Sequence, residues 1–145
     1  MKKLAFIAAL LLAMTACSTA PQEEKVEVGP YTVELIAPQT YHIQDCNASN
    51  PAGMWVGEDG AVHSNNCADI YLVVGKKQAL LIDLSNAIKW ADNAAESLQK
   101  IVADRIGNKE LHITFTHNHP DHIGMIPAFY DNPAVKWDLP RIDFT

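Results

Sequence analysis

The stretch Thr116-His117-Asn118-His119-Pro120-Asp121-His122 gathers three of the chain's six histidines and a carboxylate within a single short segment. Imidazole and carboxylate are both metal ligands, and zinc takes them at about 2.0–2.2 Å. His117 and His119 are two apart, so on extended backbone their rings point to one side and Asn118 to the other. Pro120 suits the first turn of a helix, where its missing N–H costs nothing. Asp121 and His122 then emerge around that turn and can face a second ion. Two ions about 3.5–4 Å apart can share a water, lower its pKa and polarise a substrate oxygen. A lone loop histidine is ordinarily just solvated, and an Asp-His pair is a common cap. The conjunction, placed after an apolar run, points to metal and to hydrolysis, with two zinc ions as the expected cofactor.

Such a loop needs a strand behind it. Leu111 to Phe115 is that strand, and in an α/β protein chemistry sits beyond the carboxyl end of a strand. Upstream, Tyr31, Val33 and Leu35 alternate with Thr32 and Glu34, the period of a half-buried strand. Tyr41 to Ile43 gives a second, short one. Ile70 to Val74 and Ala79 to Asp83 flank Gly75-Lys76-Lys77-Gln78, which reads as a hairpin. Both arms are nearly continuously apolar, which suggests a sheet covered on each face. Ser85 or Asn86 can cap a helix running to about Ile106, with Gly107-Asn108 as its stop. Ala91, Ala94, Leu98, Ile101 and Val102 form its core face. A short helix is expected over His122 to Tyr130, and a strand from Ala134 to Trp137. The order of elements is that of an α/β layered domain.

At His117, His119, Asp121 and His122 the chain resembles the metallo-β-lactamase fold superfamily, whose signature is His-x-His-x-Asp-His; Thr116 and Gly124 are also common family choices. The resemblance implies an αββα sandwich, with His117 and His119 on one metal and Asp121 and His122 on the other. It gives Asp121 a catalytic part in orienting the nucleophilic water. It also implies a metal-bound hydroxide attacking an ester, thioester, lactone, lactam or phosphoester of a small molecule. The hairpin ending in Asp83 looks like the family's opening hairpin. Asp83 would then buttress the metal loop; a helix-proximal capping carboxylate is the alternative. His122 argues against the main zinc β-lactamase subclass, which usually has Arg there. His119 stands where diiron flavoproteins carry Glu, which disfavours oxidoreductase chemistry. His63 and His112 are not assigned as ligands, and His112 is expected packed or edge-exposed in its strand.

Composition sets the address. Met1-Lys2-Lys3 is a basic start, and Leu4 to Met14 is an unbroken apolar run, too short to span a bilayer and suited to a signal peptide over residues 1–16. It ends in Met14-Thr15-Ala16-Cys17-Ser18, which resembles a bacterial lipobox with lipidation at Cys17. Ser18 after the cysteine leans toward the outer membrane, facing periplasm or surface. Residues 17–29 are polar and read as a tether, and residues 30–145 as the metallo-β-lactamase-like domain. Removing residues 1–16 takes Lys2 and Lys3 from the 11 basic side chains, leaving 9 against 17 acidic ones. With no basic patch, nucleic acid is excluded as a partner; the expected partners are a small-molecule substrate and, through the lipid, a membrane. Cys46 and Cys67 remain as a pair in an oxidising compartment. A bridge between them would contribute roughly 3 kcal/mol through the unfolded state; free thiols or a metal role are the alternatives.

Complete members of the family supply another His to the first metal, and a bridging Asp and a final His to the second, from a second αβ half. Nothing after His122 offers those histidines. The expectation is the N-terminal half of the sandwich, borne on a lipoprotein. The competing reading is a non-catalytic, truncated lipoprotein that binds metal weakly or not at all.

Overall fold

Period-two alternation builds most of the sheet. In β2 (Tyr31–Ala37) Tyr31 and Val33 are buried while Thr32 and Glu34 face the other way, as successive side chains on a strand must. It lies between β1 (Val26–Val28) and β3 (Thr40–Gln44), both antiparallel to it. The computed structural model describes residues 25–46, 54–56, 62–64, 67–89 and 91–139. The expected signal peptide, Cys17 and most of the expected tether lie outside them. The end of that tether is not a linker: Val26–Val28 pairs with Tyr31–Val33, and Val28 packs on the core. The fold starts before Pro30 because Val26, Glu27 and Val28 alternate in the strand's own period.

Within the Cys46 to Cys67 loop, β4 (Met54–Val56) and β5 (Val62–Ser64) form a separate hairpin with Trp55 opposite His63. The two cysteines are bonded, with Cα atoms 5.7 Å apart, inside the range a disulfide spans without distortion. β6 (Asp69–Val74) pairs with β3 and with β7 (Gln78–Ile82). The chain then crosses over through α1 (Ala94–Ile106) to β8 (Glu110–Thr114), parallel to β7, and ends the sheet with β9 (Val135–Trp137), parallel to β8. The sheet order is β1-β2-β3-β6-β7-β8-β9, a mixed sheet with helices: an α/β arrangement.

One face carries the core. Ile70, Leu72, Leu81 and Ile113 pack with Leu98, Ile101, Val102 and Ile106 of α1, and each fully buried aliphatic contributes roughly 2 kcal/mol. Among the described residues the other face is more open: β6 alternates, leaving Tyr71 37% and Val73 39% exposed, while Leu80 and Ile82 of β7 are half-buried.

Two helix boundaries also differ from expectation. α1 begins at Ala94 rather than at Ser85 or Asn86, with Asn93 before it making no side-chain cap. Ser85 stands at φ 58° and its hydroxyl, like the Asn86 amide, is given to Asp45, so neither is free to cap. Gly107 at φ 59° ends α1 as expected. The helix expected over His122 to Tyr130 is instead one turn, α2 (Pro120–Ile123), followed by a 3₁₀ turn at Ile126–Ala128. Gly124 N–H and Met125 N–H donate to Ser85 and Leu84 carbonyls, which breaks the helical ladder.

On the open face His112 lies between two carboxylates, Nδ1 2.6 Å from Asp138 and Nε2 2.8 Å from Glu110. These contacts, Asp138 first, hold its pKa above the usual histidine value of 6.5. A pKa raised on folding stabilises below the unfolded value, and that stabilisation is lost as pH rises through the folded one. We therefore expect His112→Gln to destabilise the chain at pH 5 and to be nearly neutral at pH 9. Urea unfolding at both pH values checks this; an equal effect at both would exclude the charged contact as its source.

Candidate metal centre

The loop after β8 is set by the end of β7. Asp83, 3% exposed, sits at φ 63°, a left-handed conformation that Asp adopts more readily than most residues. Its N–H donates to Thr114 O at 3.0 Å. Its Oδ1 accepts the Thr116 N–H at 2.8 Å, and its Oδ2 accepts the Thr116 hydroxyl at 2.7 Å. Oδ2 is also 2.9 Å from His122 Nδ1. One carboxylate thus clips the ends of two parallel strands together and reaches an imidazole of the motif. It caps no helix, since α1 begins at Ala94.

These contacts fix which nitrogens are free. The Thr116 hydroxyl hydrogen goes to Asp83, so the Thr116 oxygen accepts from His117 Nδ1–H, 3.0 Å away. His122 Nδ1–H donates to Asp83. With Nδ1 so engaged, the neutral form of either ring carries its lone pair on Nε2, the form a metal ligand needs. His122 Nε2 is 3.5 Å from Asp121 Oδ2. Two ligands at about 2.1 Å from a tetrahedral ion stand about 3.4 Å apart, so this pair fits one ion. The ring centroids of His117 and His119 are 4.4 Å apart, edge-on, and those of His117 and His122 are 4.0 Å apart, tilted by 48°. His117 and His119 are exposed; Asp121 and His122 are half-buried.

The four side chains meet in one cluster, though not as a single tight cage. Among the described residues, three His, Cys, Asp or Glu ligand atoms lie within 4.8 Å of one another only at Asp45, Cys46 and Cys67. There the sulfurs are bonded to each other.

The remaining histidines stand elsewhere. His42 bonds Asp69 at 2.6 Å and stacks on Tyr71, and His112 is on the open face. For His63 only the backbone, in β5, is described. The sequence reading passed over Asp45 and took Ser85 and Asn86 only as helix caps, whereas both bond to Asp45 behind the loop. A lone Asp directly before a half-cystine was the available signal for Asp45. Nothing in the sequence announces Ser85's left-handed backbone.

The family model described as the metallo-beta-lactamase superfamily matches residues 68–144. No curated protein sequence matches the chain. Among solved structures, one similar to it is a metallo-beta-lactamase from Erythrobacter litoralis with beta-mercaptoethanol in the active site. The identity is 16% and the TM-score 0.49, over 74% of this chain and 40% of that one. Another is an NDM_FIM-1 like metallo-beta-lactamase from the same organism in its mono-zinc form, at 15% identity and TM-score 0.48, over 72% of this chain and 42% of that one. The chain spans about two fifths of the length of these structures. The matched residues are more than half of the chain and run from the start of β6 through the metal loop: the chain belongs to the metallo-β-lactamase superfamily.

Proposed function

We propose that this chain carries the metal-binding half of a zinc-dependent hydrolase, with His117 and His119 on one ion and Asp121 and His122 on a second. The observation that supports it most is the approach of His122 Nε2 to within 3.5 Å of Asp121 Oδ2 while Nδ1 is held by Asp83. Zinc bound there would supply an acidified water and a Lewis acid for the substrate oxygen. Asp83 holds the His122 ring and its tautomer. Asp121 would orient the attacking water. Thr116 keeps His117 turned with Nε2 outward.

The substrate class we favour is a small molecule bearing an ester, thioester, lactone, lactam or phosphoester. We also propose that Cys17 is lipidated and anchors the chain in a bacterial envelope, most simply at the outer membrane. The sequence Met14 to Ser18 at the end of the apolar run supports this. Zinc titration against a chromophoric chelator tests the metal reading. Stoichiometric uptake is expected, and the His117→Ala, His119→Ala double variant should lose at least one equivalent. Equal uptake by the two proteins, or none by the parent, would sink the assignment.

A further inference from the structure

Beside the segment on which the metal loop packs lies a carboxylate that the proposed chemistry does not use. Asp45 follows β3 beside the disulfide and is fully buried. Its Oδ1 accepts the Ala68 N–H at 2.7 Å; its Oδ2 accepts the Ser85 hydroxyl at 2.9 Å and the Asn86 amide at 2.8 Å. A buried carboxylate is tolerated only when its oxygens are satisfied in this way. The base of the contact is rigid: Cys46 and Cys67, bonded to each other, adjoin Asp45 and Ala68, and Asp45 N–H donates to Ala68 O at 3.3 Å.

What Asp45 holds is the wall against which the loop turns. Ser85 stands at φ 58°, a conformation a serine keeps only when its surroundings impose it. In it, the Ser85 carbonyl accepts the Gly124 N–H at 2.8 Å. Next to it, Leu84 N–H donates to His122 O at 2.6 Å, and Leu84 O accepts from Met125 at 2.9 Å. Three backbone hydrogen bonds thus run from the segment gripped by Asp45 to the residues carrying and following His122.

We propose that Asp45 is a positioning residue for the metal loop, setting the place of Asp121 and His122 through Ser85 and Asn86. This rests on the reading of the loop as a zinc site. Asp83 orients the His122 ring directly; Asp45 acts on the backbone that carries it. The amide of Asp45→Asn must oppose at least one of the three donors with a donor of its own, without changing the residue's size.

The test compares the full chain with Asp45→Asn and Ser85→Ala by amide hydrogen exchange without metal and by zinc competition with a chelator. In Asp45→Asn, exchange at Gly124 and Leu84 should rise about tenfold while Ile101 in α1 is unchanged, a selective local opening. Zinc affinity should fall about tenfold, the lower end of what outer partners of ligands are worth. If Asp45→Asn does not fold, Ser85→Ala, which leaves Asp45 its other two donors, should show the same selective pattern at about threefold. Unchanged exchange at Gly124, or a rise shared by Ile101, overturns the proposal. If the parent takes up no zinc, the metal reading fails on its own, and exchange at Gly124 still decides the role of Asp45.

Discussion

Replacing Asp83 by alanine is expected to cost about 4 kcal/mol of folding free energy and to lower zinc affinity 10–100-fold. The stability loss has two parts. Deleting the carboxylate strands the Thr116 N–H, the Thr116 hydroxyl and His122 Nδ1–H, all of which it accepts. Hydrogen bonds to a charged group are worth about 1.5–3 kcal/mol each. Thr116 and His122 are not fully enclosed and can turn to water, so their combined loss is nearer 3 kcal/mol than the sum. The second part is the backbone: at φ 63° an alanine costs about 1 kcal/mol more than Asp, which tolerates that region better. Asp83→Asn keeps the backbone preference and one acceptor oxygen, so it should recover about half of the loss. Urea denaturation of the three proteins without metal reads the first effect, and chelator competition the second. A loss below about 1 kcal/mol in Asp83→Ala would mean the strand ends do not depend on this carboxylate.

What the sequence could disclose divides by the range of the interaction. The candidate ligands could be picked out because coordination chemistry demands certain residue types at short spacing, and His117, His119, Asp121 and His122 do lie close together. Strands with clean alternation were legible too, as at Tyr31 to Leu35. So was the stop of α1 at Gly107, whose positive φ most other residues avoid. The two helix misreadings share one cause. Ser85 and Asn86 are good caps by type, and their side chains go instead to Asp45, 40 and 41 residues earlier in the chain. The helix expected beyond Ile123 is locally plausible, and it breaks because Gly124 and Met125 bond across to Ser85 and Leu84. Local propensity gave way each time to a contact between distant segments, the end of β3 with the segment after β7 in the first case and the segments after β7 and β8 in the second. The same crossing carries the metal loop, so the errors fall around the site.

The second large effect is expected at that crossing. Gly124 has an ordinary helical backbone, φ −63°, so its glycine is not there for conformational freedom. Space requires it. A Cβ at position 124 would meet Ala87 N at 2.0 Å, Asn86 C at 2.3 Å and Ser85 O at 2.8 Å. All three are backbone atoms of the segment that Asp45 grips, and none can swing aside as a side-chain tip would. Gly124→Ala must therefore push the loop off this wall, breaking the Gly124–Ser85 hydrogen bond and dragging His122 with it. Overpacking of this kind costs about 3 kcal/mol or more, and it should weaken zinc binding at least tenfold because the ligand itself is displaced. Gly107→Ala is the internal comparison. There the φ is 59° with nothing within 4 Å of the new Cβ, so only the backbone penalty of about 1 kcal/mol applies, and zinc affinity should not change. If both variants lose similar stability and Gly124→Ala binds zinc like the parent, then close approach at the crossing does not set the geometry of His122.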